Sequence, residues 1–289
     1  MMLMRKAIEE FLTHLAEHEY SGKTVDCYRS ALFNFNSYLE KRFNIKIYVE
    51  DISSEVFKDF LRQKREDGCA PTSRNHYLFT FRSFCDYLSD EKLLEENPVK
   101  NLKPVKTRKK EREYLTREQV ETLVQETDHD IISTAVLVAY YTGLRPSELL
   151  GLKLEDVDLE RGVIRVRGGK GNKNRKVPIS GKLKEIIGNY LENVRPEVKT
   201  DNFIATAQSG GMSHHYFNQK LKQAARSAGW DFAEKVTPHV LRHSCASRLV
   251  KKNISLEKIR KLLGHSSIDV TSVYCHTRTE ELSEAVDEL

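Results

Sequence analysis

The chain of 289 residues has no long hydrophobic run. No stretch approaches the ~18 consecutive apolar residues of a membrane-spanning helix, which excludes a helical membrane protein. The opening MMLMRKAIEEFLTHL lacks the continuous apolar core and small-residue cleavage site of a signal peptide, and Ile8, Phe11, Leu12 and Leu15 fall at helical spacing instead. Cysteine is scarce: Cys27, Cys69, Cys85, Cys245 and Cys275 are odd in number and form no C-x-x-C pair. That argues against a disulfide frame or zinc ribbon and for free thiols in a reducing cytoplasm. Internal repeats and low-complexity tracts are missing too. So is a nucleotide-binding P-loop: Ile164 stands where its first glycine belongs, and Gly171 follows Lys170.

What is there becomes informative once the net charge of +5 is divided along the chain. Residues 1–103 hold 16 bases against 17 acids, and residues 104–113 hold five against two. Residues 114–279 hold 26 bases against 18 acids, whereas the last ten, EELSEAVDEL, hold five acids and no base. A basic second half with an acidic tail points to a polyanionic partner and a separable C-terminal element, with an ordinary solvated surface as the alternative.

The pattern predicts two domains, mainly α with a small antiparallel β-sheet. Over residues 1–102 apolar positions such as Val25, Tyr28, Leu32, Phe35 and Leu39 recur at helical spacing, and Pro71 opens an aromatic-rich helix. This is a bundle of about four helices. Residues 103–113 read as a basic interdomain linker, either lying along phosphates or merely solvated. The second domain, 114–289, opens with a capping pattern, Thr116 and Gln119. An all-apolar, buried helix then stops at Gly143. LEDVDLERGVIRVRGGKGNKNRKVPIS predicts two or three short strands, with a turn at Glu160, Arg161 and Gly162. Helices follow over 181–193, 214–228, 239–252, 255–263, 267–275 and 279–288.

Five stretches of the second half place a polar residue where chemistry could use it. In TGLRPSELL, Arg145 sits between a buried helix and one starting at Pro146. A guanidinium fixed there suits a phosphate, or else caps the preceding helix's carbonyls. Lys170 lies in GGKGNKNRK, a hairpin tip that either reaches into a groove to donate a proton or is simply solvated. In HVLRHSCASRLV, His239 and Arg242 share one face. His239 and His243 have metal-pair spacing, but Val240 replaces the glutamate of H-E-x-x-H and no third ligand is near, so no metal is expected. His265 opens a further helix after Gly264, and Tyr274 lies nine positions on. A lone helical tyrosine usually packs, and at a pKa near ~10 it is a poor nucleophile unless cations stabilise the phenolate. The other four stretches supply those cations.

TGLRPSEL, GKGNK, HVLRH and LLGH with its tyrosine, in that order from about Tyr114 to Thr279, resemble the tyrosine recombinase (phage integrase) family. Within it the wording is nearest to the Xer recombinases, which resolve chromosome dimers, and the compact size is most like the single archaeal Xer protein. The resemblance implies that Tyr274 attacks a scissile phosphate to form a 3′-phosphotyrosine. Arg145 and Arg242 would then hold the non-bridging oxygens, Lys170 protonate the leaving 5′-oxygen, His239 assist the tyrosine's proton, and His265 bind the phosphate. It implies no cofactor, and a two-domain clamp on a double-stranded recombination site with backbone contacts from Lys106, Arg108, Lys109, Lys110, Lys173 and Arg175. Four strand cuts imply a tetramer of the chain on two sites. Leu282, Val286 and Leu289 form an apolar stripe on the tail helix 279–289, after a possible capping box of Thr277 and Glu280, and would dock on a neighbouring protomer or in cis. The rivals are a phage or transposon integrase, a type IB topoisomerase, which the Xer-like wording disfavours, and a non-catalytic helical DNA-binding protein.

Overall fold

A computed structural model describes residues 1–43, 45–107, 113–167 and 174–264. The chain divides into two compact units, Met1–Lys110 and Glu111 onward, each with its own core. Among the described residues no helix is long and apolar enough to cross a membrane.

The first unit is the expected helical bundle. Its helices are α1 (Met4–Glu17), α2 (Gly22–Phe43), α3 (Ser54–Glu66) and α4 (Pro71–Asp90). The stripe read from α2 is inside: Val25, Leu32, Phe35 and Leu39 are buried, because residues three and four apart share a helix face. Phe35 lies at the centre, its ring 4.7 Å from those of Phe57 and Phe81 and 5.2 Å from that of Phe60. Pairs of this kind contribute about 1 kcal/mol each beyond the area they bury. Beyond α4 the chain stays fastened. The Asn75 amide accepts from the Val105 N–H and donates to the Val105 carbonyl, both at 2.8 Å, and Arg82 donates to the Leu102 carbonyl. Val105 is therefore still part of the first unit. Lys106, the next residue, is exposed.

In the second unit, α5 (Arg117–Gln125) begins at the Thr116–Gln119 capping box as expected. Helix α6 (Asp130–Thr142) is apolar all round because it is the centre of the core, packed by α5, α8 (Gly181–Asn189) and α10 (Pro238–Lys251). The short α7 (Pro146–Leu150) follows. Strands β1 (Val157–Asp158), β2 (Val163–Val166) and β3 (Arg175–Pro178) form an antiparallel sheet in the order β1-β2-β3. The turn between the first two uses Gly162 at φ 65°, where a side chain is disfavoured. Tyr190, on the π-helical turn that ends α8, is fully buried and donates its hydroxyl to the Phe203 carbonyl at 2.9 Å. Helices α9 (His214–Ser227) and α11 (Leu256–Leu263) complete the unit. The helices expected over 267–275 and 279–288 lie outside the described residues.

Candidate active site

The site is built where α6, α7, β3, α10 and α11 end on one another. Helix α6 stops at Gly143 in the left-handed region, φ 64°. A side chain there is excluded twice, since a Cβ would also come within 2.4 Å of Leu263 and 3.2 Å of the Cys245 sulfur. Two residues on, Arg145 is the N-cap of α7, with Pro146 in the first helical position and Glu148 in the third. The Arg145 N–H donates to Glu148 Oε2 at 2.7 Å, Arg145 Nη1 donates to Glu148 Oε1 at 2.7 Å, and Nη2 donates to the Gly264 carbonyl at 2.6 Å. The expected alternative, an arginine capping α6, therefore does not apply to Arg145. That contact belongs to Arg242, whose Nη1 donates to the Gly143 carbonyl at 2.7 Å and whose Nη2 donates to the Leu263 carbonyl at 2.7 Å.

Arg242 is buried in α10, while His239 is exposed one turn earlier on the same face. A third guanidinium completes the group. Arg175 donates from Nη1 and Nη2 to the two oxygens of Glu148 at 2.8 and 2.7 Å, and from Nε to the Leu262 carbonyl at 2.9 Å. Three successive carbonyls at the end of α11 thus each accept from a different arginine: Leu262 from Arg175, Leu263 from Arg242, Gly264 from Arg145. The last carbonyls of a helix have no partner within it and carry partial negative charge, so cations there are favoured.

Glu148 binds this group. Its side chain is only 7% exposed, and burial alone would raise its pKa. Hydrogen bonds and charge from Arg175, with the Arg145 N–H and guanidinium, outweigh burial and bring it down to about 2. The carboxylate is ionised at any physiological pH. Two guanidiniums on one carboxylate, with Arg242 on the same helix end, leave a formal excess of positive charge, and a guanidinium has five N–H donors. The arrangement can hold an anion with planar donors, as phosphate recognition requires.

A family model, the phage integrase family, matches residues 113–281, and a second, the phage integrase N-terminal SAM-like domain, matches residues 8–92. The chain belongs to the phage integrase family. This tyrosine recombinase is 35% identical over 285 residues to the tyrosine recombinase XerD of Yersinia pestis, covering 95% of this chain and 94% of the relative. It is 30% identical over 292 residues to a tyrosine recombinase of Thermosipho africanus, covering 99% and 100%. Among solved structures, XerH site-specific recombinase bound to its difH substrate is 25% identical at a TM-score of 0.70, covering 91% of this chain and 78% of that one. XerA recombinase is 25% identical at a TM-score of 0.53, covering 99% and 98%. The Xer-like reading of the sequence is therefore supported.

Of the six catalytic candidates, the fold gathers Arg145 and Arg242 at the end of α11 and sets His239 one turn before Arg242. Lys170, His265 and Tyr274 lie outside the described residues, as do Arg108, Lys109, Lys110 and Lys173 among the backbone-contact candidates. Arg175, expected to touch DNA, is turned inward, 11% exposed, with donors on Glu148 and Leu262. Strand alternation holds the reason. Arg175 opposes Val166, Val177 opposes Ile164, and Val166, Ile164 and Val177 are buried, so Arg175 shares the inner face. The sequence reading also passed over Glu148. Its signal was present, a glutamate in the third helical position after R-P-S, where a carboxylate reaches back to the N-cap.

Proposed function

We propose that this recombinase cuts and rejoins DNA with Tyr274 as nucleophile and Arg145, Arg242, Lys170, His239 and His265 around the phosphate, and that it resolves chromosome dimers at a dif-like site. The observation that carries the reading is the seating of Arg145 and Arg242 on the carbonyls of Gly264 and Leu263. Two guanidiniums seated just before His265 and the tyrosine stretch support assigning them to the phosphate.

The chemistry balances without a co-reactant. The Tyr274 oxygen forms a bond to phosphorus as its proton passes through His239. The P–O5′ bond breaks, and Lys170 protonates the departing oxygen. Arg145 and Arg242 neutralise the charge that builds on the non-bridging oxygens. Attack by a 5′-hydroxyl of a second duplex reverses the step. Bond energy is kept in the phosphotyrosine, so no nucleotide is consumed. Lys106, Arg108, Lys109, Lys110 and Lys173 contact the sugar-phosphate backbone. Four protomers act on two sites, and the segment 280–289 docks on a neighbour.

Covalent adducts isolated from cells under denaturing conditions and sequenced test this role. A single chromosomal locus supports dimer resolution. Adducts at the two ends of a mobile element assign an integrase, and their absence with normal DNA binding assigns a non-catalytic protein.

A further inference from the structure

We propose that Arg175 is a positioning residue for strand cleavage, acting on Arg145 through Glu148, and not a DNA contact. The inference rests on the proposed role of Arg145 at the phosphate.

The geometry is a chain of saturated groups. A carboxylate offers about four acceptor sites. All four on Glu148 are filled, each oxygen accepting once from Arg145 and once from Arg175. The two bonds from Arg175 run side by side, a fork matched to the carboxylate plane, and they fix its rotation. With that rotation fixed, Oε2 meets the Arg145 N–H and Oε1 meets the Arg145 guanidinium.

A second path runs through the backbone. Arg175 Nε holds the Leu262 carbonyl, one residue before the carbonyl taken by Arg242 and two before that taken by Arg145. Gly264 is pressed against the same guanidinium: a Cβ there would lie 3.1 Å from Arg175 Cδ and Nη1, and its φ is 65°. Arg175 therefore sets both the carboxylate that aims Arg145 and the helix end on which Arg145 and Arg242 rest. A small misplacement of such groups costs rate and not affinity.

The test is single-turnover cleavage of a nicked substrate at saturating DNA, with affinity measured alongside by fluorescence anisotropy, for wild type, Arg175→Met and Arg175→Lys. Lysine keeps the charge but not the fork. Both variants are expected to bind within about twofold of wild type and to cleave at least ~10-fold more slowly. On a scissile methylphosphonate, where one oxygen's charge is gone, the loss should shrink to about threefold or less, since Arg145 then has less charge to neutralise. Full activity of Arg175→Lys, or weakened binding with an unchanged saturated rate, would overturn the proposal in favour of a phosphate contact. An equal loss on both substrates would overturn it in favour of general loosening. If Arg175→Met does not fold, Arg175→Lys decides alone. Wild type that forms no adduct overturns the functional reading and this inference with it.

Discussion

Arg145 and Arg242 come from different helix starts yet donate to neighbouring carbonyls of one helix end, 2.6 Å from Gly264 and 2.7 Å from Leu263. The relationship makes the end of α11 a template for the spacing of two guanidiniums. Their environments differ, and so do the expected consequences of removing them. Arg145→Ala should slow adduct formation by about 10²- to 10³-fold at saturating DNA, as loss of a preorganised donor does. Its melting temperature should fall less than that of Arg242→Ala, because Arg145 is partly exposed and Glu148 keeps the Arg175 fork. Arg242→Ala should lose cleavage similarly and also unfold more easily, by about 1–3 kcal/mol, because two buried carbonyls lose their donor. Gel assays on a nicked substrate and urea melts separate the two.

Glu148 should make stability depend on acid. Its folded pKa, about 2, lies below the ordinary 4.5, so its contribution is complete above 4.5 and is lost as pH falls towards 2. A gap of that size corresponds to roughly 3 kcal/mol. Urea midpoints of Glu148→Gln, measured from pH 7 down to pH 2, should start lower than wild type and fall less steeply below pH 5. Parallel curves would remove Glu148 from the acid response.

Gly143 is held by backbone and by space. Gly143→Ala places a methyl in the left-handed region and within 2.4 Å of Leu263, the residue whose carbonyl Arg242 holds. A loss of about 2–4 kcal/mol is expected from the two effects together, read as a lower urea midpoint. A change under 0.5 kcal/mol would mean that Leu263 moves aside freely.

The elements were largely legible because hydrophobic spacing encodes them. The all-apolar α6, the stripe of α2 and the turn at Gly162 follow from local pattern alone. Arg145 and Arg242 were legible through their motifs, one opening R-P-S-E and one a turn after His239. Their partners were not. The carbonyls of Leu262, Leu263 and Gly264 carry no sequence signature, and only the folded chain brings residues 119 positions apart, Arg145 and Gly264, into hydrogen bonding. The facing of Arg175 was not legible either, because a basic hairpin tip suggests phosphate contact by composition, while facing follows from strand register. The site was readable as a set of residue types, and its wiring was not.

Salt should report on the basic linker. Neutralising Lys106, Arg108, Lys109 and Lys110 together is expected to flatten the slope of log affinity against log salt by about 0.9 for each phosphate contact removed. Titrations at several salt concentrations measure it. An unchanged slope would mark these residues as solvated.

The account stands on Tyr274 reacting at the phosphate held by Arg145 and Arg242. Its most direct test traps the protein on a nicked substrate, digests the adduct and locates the nucleotide by mass spectrometry. The expected result is a 3′-phosphate joined to the peptide bearing Tyr274, absent in Tyr274→Phe and present without nucleotide or divalent metal. A DNA adduct on any other residue, or one that persists in Tyr274→Phe, would contradict it.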